Sequence, residues 1–579
     1  MCGIVGYIGR RNAAPVVVEG LKRLEYRGYD SFGVAIADNG IEVVKKQGRI
    51  SDLGKSAISL SGPVGIGHTR WATHGVPNDI NAHPHTDCEE NIAVVHNGII
   101  ENYTELKRML ESEGHTFKSD TDTEVIPHLI EKYYAGNLLD AVFKTADVLK
   151  GSYAFLAVCG DERRIVAAKK SSPLVIGMGD GEMFASSDMT PVIEYTQKMI
   201  FLEDGDFADI SDSDICIYNS GEKVVRMPEI VEWDFDSAKK GGFEHFMQKE
   251  IFEQPDVFYN SFAKKIDEDV ISALKKAVLI TVVACGTSYH AGIIFRYLME
   301  KYCKIPVRVE IASEFSNFTP CRDSVMIAVT QSGETADTLS ALKSSKSENC
   351  TTFAITNVLG SSVTRAADHV LYTLAGPEIS VAATKSFTAQ VAVLLKIVSC
   401  LSEYDIEEEL SGIHAVLEEA LMFDAEPAAE LCKNSESMFF VGRGVFYPVS
   451  LEGALKMKEI TYIHAEGYAA GELKHGPFSL LCENTPVIAL CTKDESYPVM
   501  MSNIKEIKAR GAPVIAIGTG DDIDLMEICD LYIPLPDSSK ISEIITASVI
   551  LQVLAYKTAV LLGRDVDKPR NLAKSVTVI

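Results

Sequence analysis

Met1-Cys2-Gly3-Ile4-Val5-Gly6-Tyr7 opens the 579-residue chain, and its reading decides how the first part of the protein is built. The run Ile4 to Ile8 is apolar enough for a plain buried strand. If the initiator methionine is removed, Cys2 becomes the first residue and carries both a nucleophile and a base. A free α-amino group titrates at about 7.7–8.0 and can take the thiol proton directly or through a water. The stretch alone leaves both readings open.

Composition bounds what the rest can be. A chain of 579 residues is too long for one core at ~100–200 residues per domain, so two to four domains are expected. A net charge of −26 argues against a general grip on phosphate backbones, and no nucleic-acid partner is expected. Thirteen cysteines include no Cys-x-x-Cys pair, and the N-terminus lacks a basic-then-apolar leader, so a reducing cytoplasm is expected. The most apolar stretch, Ile544 to Tyr556, falls short of the ~20 residues that span a bilayer and reads as a core helix, with no membrane partner.

From Cys2 to about Glu229, short strands dominate: Ile4–Ile8, Gly33–Ala37, Ile41–Lys45, Val64–His68, Ile92–His96, Tyr153–Val158, Arg164–Lys169 and Asp214–Tyr218. Helices are expected at Ala13–Tyr26, Asn102–Glu113 and near Thr123–Tyr134, which together predict an α+β layered sandwich. Its loops then carry the chemistry. His68-Thr69-Arg70-Trp71-Ala72-Thr73-His74 offers a guanidinium suited to a free carboxylate, or else a surface loop with Trp71 packed inward. His96-Asn97-Gly98 supplies an amide and a freely oriented N–H that could form an oxyanion hole, or an ordinary strand-ending turn. Thr121-Asp122-Thr123-Glu124 is first of all a helix cap, though Asp122 could hold an ammonium opposite Arg70. Read as metal ligands, His83, His85, His68, His74 and His96 lack the spacing of known sites, so no metal is expected.

These stretches, with Arg27-Gly28-Tyr29-Asp30-Ser31, resemble the N-terminal-nucleophile glutamine amidohydrolase family in order and spacing. The resemblance implies that Cys2 is the nucleophile with its α-amino group as base. It implies that Asn97 and Gly98 form the oxyanion hole, and that Arg70, Trp71, Thr73, His74 and Asp122 bind glutamine.

Past Ser237-Ala238-Lys239-Lys240-Gly241-Gly242 and a helical Phe243–Gln254, strands alternate with long helices, which implies parallel sheets. Val278–Ala284 runs into Cys285-Gly286-Thr287-Ser288, and Val325–Thr330 into Gln331-Ser332-Gly333-Glu334-Thr335. Two hydroxyl-rich turns at strand ends, each opening a helix, fit a phosphomonoester without basic residues, and neither is a nucleotide fingerprint. Roughly 160 residues on, the theme recurs at Met438–Val441, Val487–Leu490 and Val514–Ile517, as an internal duplication of a doubly wound unit would give. Here Glu452, Lys456 and Glu459 recur at i, i+4 and i+7. That is either a solvated face or, among Leu451, Ala454, Leu455 and Ile460, a buried stripe with shifted titration. His475 is a candidate proton shuttle, and the chain closes on a Lys-bearing tail from Asp567 to Val578.

This portion resembles a tandem pair of sugar isomerase (SIS) domains that bind phosphosugars. The expected architecture is therefore an amidohydrolase sandwich at 1–238, a linker and first doubly wound α/β SIS domain at 239–425, a second at 426–565, and a catalytic tail at 566–579. Joined, the two resemblances imply transfer of the amide nitrogen of glutamine to fructose 6-phosphate and isomerisation to glucosamine 6-phosphate. Thr287, Ser288, Thr330, Gln331, Ser332, Thr335, Val381, Glu452 and Lys456 would hold the sugar phosphate. His475 would open the ring, Lys574 would form a Schiff base, Glu459 would move a proton between C1 and C2, and ammonia would pass internally with Trp71 as gate. A homodimer is implied, and no cofactor, because amide hydrolysis and enolisation need only acids, bases and a nucleophile. Thr330 and Ala383 stand where the family commonly has serine, the second near the sugar. The alternatives are a relative acting on another ketose phosphate, and a sugar-phosphate sensor with residual glutaminase activity.

Overall fold

The computed structural model describes residues 2–50, 59–71, 74–231, 240–317, 324–348 and 350–574. The chain divides into two compact units, Met1–Phe235 with Ala573–Ile579, and Asp236–Leu572.

In the first unit, Gly3–Gly9 is buried along its whole length between two antiparallel neighbours, Val64–Arg70 and Glu182–Ser186. It belongs to an eight-stranded sheet that runs on through Ser31–Ala37 to Ile41–Gln47 at one edge. A seven-stranded sheet built round Ile92–Ile100, Gly151–Cys159 and Glu162–Lys170 packs on it. The period of two in each strand sorts the side chains. Ile4 and Ile8 meet Ala93, Val95, Leu156 and Ala167 in the core between the sheets. The alternate residues Ile92, Val94, Phe155 and Val166 face the other way, under the helices Tyr103–Ser112, Val125–Tyr133 and Leu138–Val148. Helix Ala13–Leu24 covers the outer face of the first sheet and lies close on it, because Gly67 has no side chain. A Cβ there would stand 2.5 Å from Val17 Cγ1 and 2.8 Å from Leu21 Cδ1.

The second unit holds two five-stranded parallel sheets. Across the first sheet, in spatial order, lie Val307–Ile311, Ile280–Ala284, Val325–Val329, Thr351–Thr356 and His369–Tyr372. Across the second lie His464–Ala469, Ser437–Gly442, Val487–Cys491, Val514–Thr519 and Leu531–Leu535. Numbered within each sheet, both orders are 2-1-3-4-5, so the duplication read from the sequence is present in the topology. Central strands such as Ile280–Ala284 are buried at every position, as expected where helices cover both faces. One core joins the two sheets through the helices Lys385–Leu401, Phe446–Thr461 and Lys540–Leu561. The last is long and apolar enough to cross a membrane, yet its Ile544, Ala547, Leu551 and Leu554 lie in this core.

Several expectations shift. The linker helix is shorter, Phe246–Phe252, followed by Gln254–Ala263. Helix Leu138–Val148, capped by the Asn137 side chain on Leu139 N–H at 3.0 Å, was not foreseen, nor were Val175–Met178 and Glu182–Ser186. Those strands are four and five residues long, too short to show an alternation. Gly67→Ala should cost about 1–3 kcal/mol by overpacking the helix–sheet contact, read as a lower denaturant midpoint of the first unit at unchanged slope.

Candidate active site

Antiparallel register places Gly3 opposite Thr69, so Cys2 lies level with Arg70 and Trp71. The half-buried Cys2 Sγ accepts the Trp71 N–H at 3.2 Å and lies 3.4 Å from the Trp71 carbonyl. Burial pushes the thiol up, against the opposing pull of the Trp71 N–H and the Arg70 guanidinium, so the group needs a base to become a thiolate.

Asn97 Nδ2 donates to the Cys2 carbonyl oxygen at 3.1 Å. His68 fixes that orientation. Its Nε2 lies 3.0 Å from Asn97 Oδ1 and 2.9 Å from the His96 carbonyl, two acceptors that require the proton on Nε2. Burial lowers this imidazole to about 3, so it stays neutral and holds the amide with its NH2 towards Cys2. Gly98 follows with a backbone at φ +130°, where a Cβ would lie 2.1 Å from the Ser152 carbonyl, so only glycine fits.

The groups expected to bind a zwitterion are buried close by. Arg70 Nη2 donates to the carbonyls of His74 and Gly75, while its buried Nη1 has no hydrogen-bond partner among the described residues. An unpaired guanidinium N–H there suits a carboxylate. Asp122 accepts the Ile100 N–H at 2.8 Å, Trp71 meets Tyr29 edge-on at 5.7 Å, and His74 meets Tyr103 at 5.7 Å. Thr73 lies outside the described residues. His83, His85 and His96 pack nearby, each with its own partners. His83 stacks on His68 at 4.1 Å, His85 meets Thr121 Oγ1 at 3.0 Å, and His96 meets Thr123 Oγ1 at 2.9 Å.

In the second unit the two hydroxyl-bearing turns end adjacent parallel strands, with Ala284 paired to Val329, where the strand order reverses. That reversal is the usual ligand crevice of a doubly wound sheet. Gly333, at φ +68°, lets the second turn fold tightly, with its N–H on Thr330 Oγ1 at 3.2 Å and the Glu334 N–H on Ser332 Oγ at 3.2 Å. Thr330 and Thr335 hydroxyls lie 3.1 Å apart, and Gln331 is anchored through its carbonyl by the Asn357 N–H at 3.1 Å.

The charged stripe is buried, not solvated. Lys456 is 0% exposed and lies 2.5 Å from Glu459 Oε2 and 3.5 Å from Glu452 Oε1. Burial alone would lower this lysine, but the two carboxylates outweigh it and hold its titration above the ordinary value. Thr287 Oγ1 accepts from Lys456 at 3.1 Å and donates to Glu452 at 3.1 Å, and His290 Nδ1 lies 2.7 Å from the other Glu452 oxygen. The Thr287 side chain is thus turned to the ion pairs, and the first hydroxyl-bearing turn of one sheet is tied to the helix of the other.

A scan against family models matches a glutamine amidotransferase domain at residues 68–193 and the SIS domain twice, at 273–399 and 431–562. The glutamine–fructose-6-phosphate aminotransferase [isomerizing] of Clostridium acetobutylicum is 45% identical over 607 residues, and that of Pyrococcus horikoshii 47% over 600, each covering 100% of both chains. The chain belongs to this aminotransferase family. Among solved structures, the C-terminal domain of glucosamine-fructose-6-phosphate aminotransferase from Francisella tularensis is similar with 38% identity and a TM-score of 0.54, covering 57% of this chain and 99% of its own.

Within the frame of an aminotransferase, the structure brings together Cys2, Asn97, Gly98, Arg70 and Trp71 in one unit, and Thr287, Glu452, Lys456 and Glu459 in the other. Val381 is buried and donates to the Asp567 carbonyl at 3.0 Å, and Asp567 caps helix Phe246–Phe252 at the Phe246 and Met247 N–H groups. The tail is held further by Arg570, whose N–H donates to Tyr462 Oη at 2.7 Å. His475 is exposed at the end of the short helix Ala470–His475, and no polar partner is seen for it among the described residues. Lys574 is half-buried and groups with the first unit. Two residues were missed as participants. In the sequence His68 reads as part of a loop motif or of a histidine set without metal spacing, and its contact with Asn97 appears only in the fold. His290 follows Thr287 by three positions on one helix, a spacing the sequence did carry.

Burial lowers His68, His83, His85 and His96 together. The unfolded chain, with histidines at about 6.5, then binds more protons than the folded one, so stability is complete above about pH 6.5 and falls as pH drops towards 3. Denaturant unfolding between pH 7 and 4 should show up to about 1.4 kcal/mol lost per pH unit for each such histidine. Flat stability over that range would mean that these rings are charged in the fold.

Proposed function

We propose that the chain transfers the amide nitrogen of glutamine to fructose 6-phosphate and isomerises the product, giving glucosamine 6-phosphate and glutamate, the entry step of amino-sugar synthesis. The observation that carries this reading is full-length identity to relatives of that name across both kinds of domain.

In the first reaction the α-amino group of a processed Cys2 takes the thiol proton, and the thiolate attacks the side-chain amide carbonyl of glutamine. Asn97 Nδ2 and the Gly98 N–H hold the oxyanion, the protonated amine donates to the leaving nitrogen, and ammonia departs. Water then releases glutamate from the thioester. Arg70 takes the substrate carboxylate and Asp122 its ammonium, with Trp71, Thr73 and His74 around them.

In the second, Thr287, Ser288, Thr330, Gln331, Ser332 and Thr335 hold the sugar phosphate, Val381 lies near the sugar and His475 assists ring opening. Lys574 forms the Schiff base with the ketose carbonyl, ammonia displaces it, and Glu459 moves a proton from C1 to C2. Lys456 is unsuited to the Schiff base, since a buried ammonium clamped by two carboxylates has no lone pair to offer. Its part is to hold Glu459, Glu452 and Thr287 in place. The domain limits at 238, 425 and 565, a homodimer and a cytoplasmic location belong to the same proposal.

Incubation of glutamine with fructose 6-phosphate should yield glucosamine 6-phosphate, and its absence would overturn the assignment. Asn97→Ala should lower glutaminase kcat by roughly 10²–10³. His68→Ala should approach the same loss with KM for glutamine little changed, since it acts through Asn97. Borohydride trapping with fructose 6-phosphate should label Lys574 and fail in Lys574→Arg, because a guanidinium stays charged. An adduct on Lys456 would refute the assignment of the two lysines.

A further inference from the structure

Four side chains that the aminotransferase reaction does not use converge in the first unit. Cys88 stands in the turn after strand His85–Thr86, His115 in the loop after helix Tyr103–Ser112, and His128 and Glu131 one turn apart on helix Val125–Tyr133. Cys88 Sγ lies 3.6 Å from His115 Nδ1 and 3.5 Å from His128 Nδ1, and the two ring nitrogens are 3.3 Å apart. Glu131 Oε2 lies 2.9 Å from His115 Nδ1 and 3.3 Å from His128 Nδ1. One donor atom from each of the four residues falls within 4.8 Å of the others.

These are five of the six edges of a tetrahedron, the sixth, from Cys88 Sγ to Glu131 Oε2, lying within 4.8 Å. A metal with bonds of about 2.0–2.1 Å to nitrogen or oxygen and about 2.3 Å to sulfur sets N···N and N···O edges of about 3.3 Å and S···N edges of about 3.5 Å. The observed S···N, N···N and N···O distances follow that order, with the longest edges at sulfur. A proton-only account is less complete, because two ring nitrogens at 3.3 Å aim at one carboxylate oxygen that also accepts the Cys88 N–H at 3.2 Å. The surroundings fit a ligating histidine as well. His128 is buried, its far nitrogen Nε2 lies 3.9 Å from the buried Glu124 carboxylate, and its ring packs on Phe117 at 4.4 Å. At 3.9 Å that carboxylate does not hydrogen-bond Nε2, which has no hydrogen-bond partner among the described residues, so packing on Phe117 is what holds the ring.

We propose that Cys88, His115, His128 and Glu131 bind one divalent transition-metal ion, zinc by the chemistry of the donor set, as a structural tie within the amidotransferase unit. One thiolate, two imidazoles and one carboxylate at tetrahedral spacing suit zinc over the oxygen-seeking calcium and magnesium. Binding exchanges the thiol proton of Cys88 for the metal, so one proton is released for that ligand. The ion closes all four positions and leaves none for substrate. It joins the turn at Cys88, the loop at His115 and the helix that begins just beyond Asp122 and Glu124. The loop end is already fixed there, since Glu124 accepts the Lys118 and Ser119 N–H groups at 2.7 Å each.

The test uses the full chain, purified without a polyhistidine tag. Elemental analysis should find about one zinc per chain. Replacement by cobalt(II) should give the intense visible bands of tetrahedral cobalt with a thiolate-to-metal charge-transfer band in the near ultraviolet. Cys88→Ser, at an exposed position, should remove the charge-transfer band and at least tenfold of the affinity, and His115→Gln should weaken binding without altering the Cys2 reaction chemistry. A chelator should lower the unfolding temperature of the parent and not that of Cys88→Ser. Protein that carries no zinc and binds no cobalt, or a weak octahedral cobalt spectrum unchanged in both variants, would overturn the proposal.

Discussion

The amidotransferase unit depends on one constraint: the strand next to Cys2, Gly3–Gly9, lies inside a sheet. Gly3–Gly9 is hydrogen-bonded on both sides, and a one-residue slip would send Ile4 and Ile8 from the core to the opposite face. Register is therefore enforced by hydrophobic burial, and the residue before the strand inherits that precision. Cys2 needs no loop to aim it. Its neighbours are likewise set by strands: Arg70 and Trp71 at the end of Val64–Arg70, and His96-Asn97-Gly98 within Ile92–Ile100, which runs two residues past the turn that the sequence suggested there.

The second unit solves a different problem with a repeated plan. Two sheets of the same strand order share one core, and the crevice at each order reversal could in principle bind a ligand. Only the first carries the hydroxyl-rich turns. The second contributes the helix with Glu452, Lys456 and Glu459. A lysine with no exposure is tolerable there because two carboxylates and a hydroxyl satisfy it, and the loss of any one would leave a buried charge short of a partner.

Much of this was legible in the sequence. The strands that hold Cys2 and Asn97, the hydroxyl-rich turns and the i, i+4, i+7 stripe are local patterns, and local patterns survive folding. What escaped detection depended on distant pairs. His68 acquires its meaning from Asn97, 29 positions away, and His290 from Glu452, 162 away. The cluster of Cys88, His115, His128 and Glu131 spans separations of 27, 13 and 3 residues across three elements, and only the last is a spacing that a helix reveals. The short strands near 175–186 failed for the opposite reason, since four or five residues give a pattern too little length to declare itself.

The bonds from Thr287 and His290 to Glu452 and Lys456 also bear on how a duplicated chain loses its symmetry. The first copy contributes a hydroxyl and an imidazole, and the second contributes the formal charges that need them. Neither copy could stand in for the other, and a chain made of two first copies or two second copies would lack one half of the network. Complementary wear of this kind makes a duplication irreversible: once each copy has given up what the other supplies, the pair is inherited as a single object.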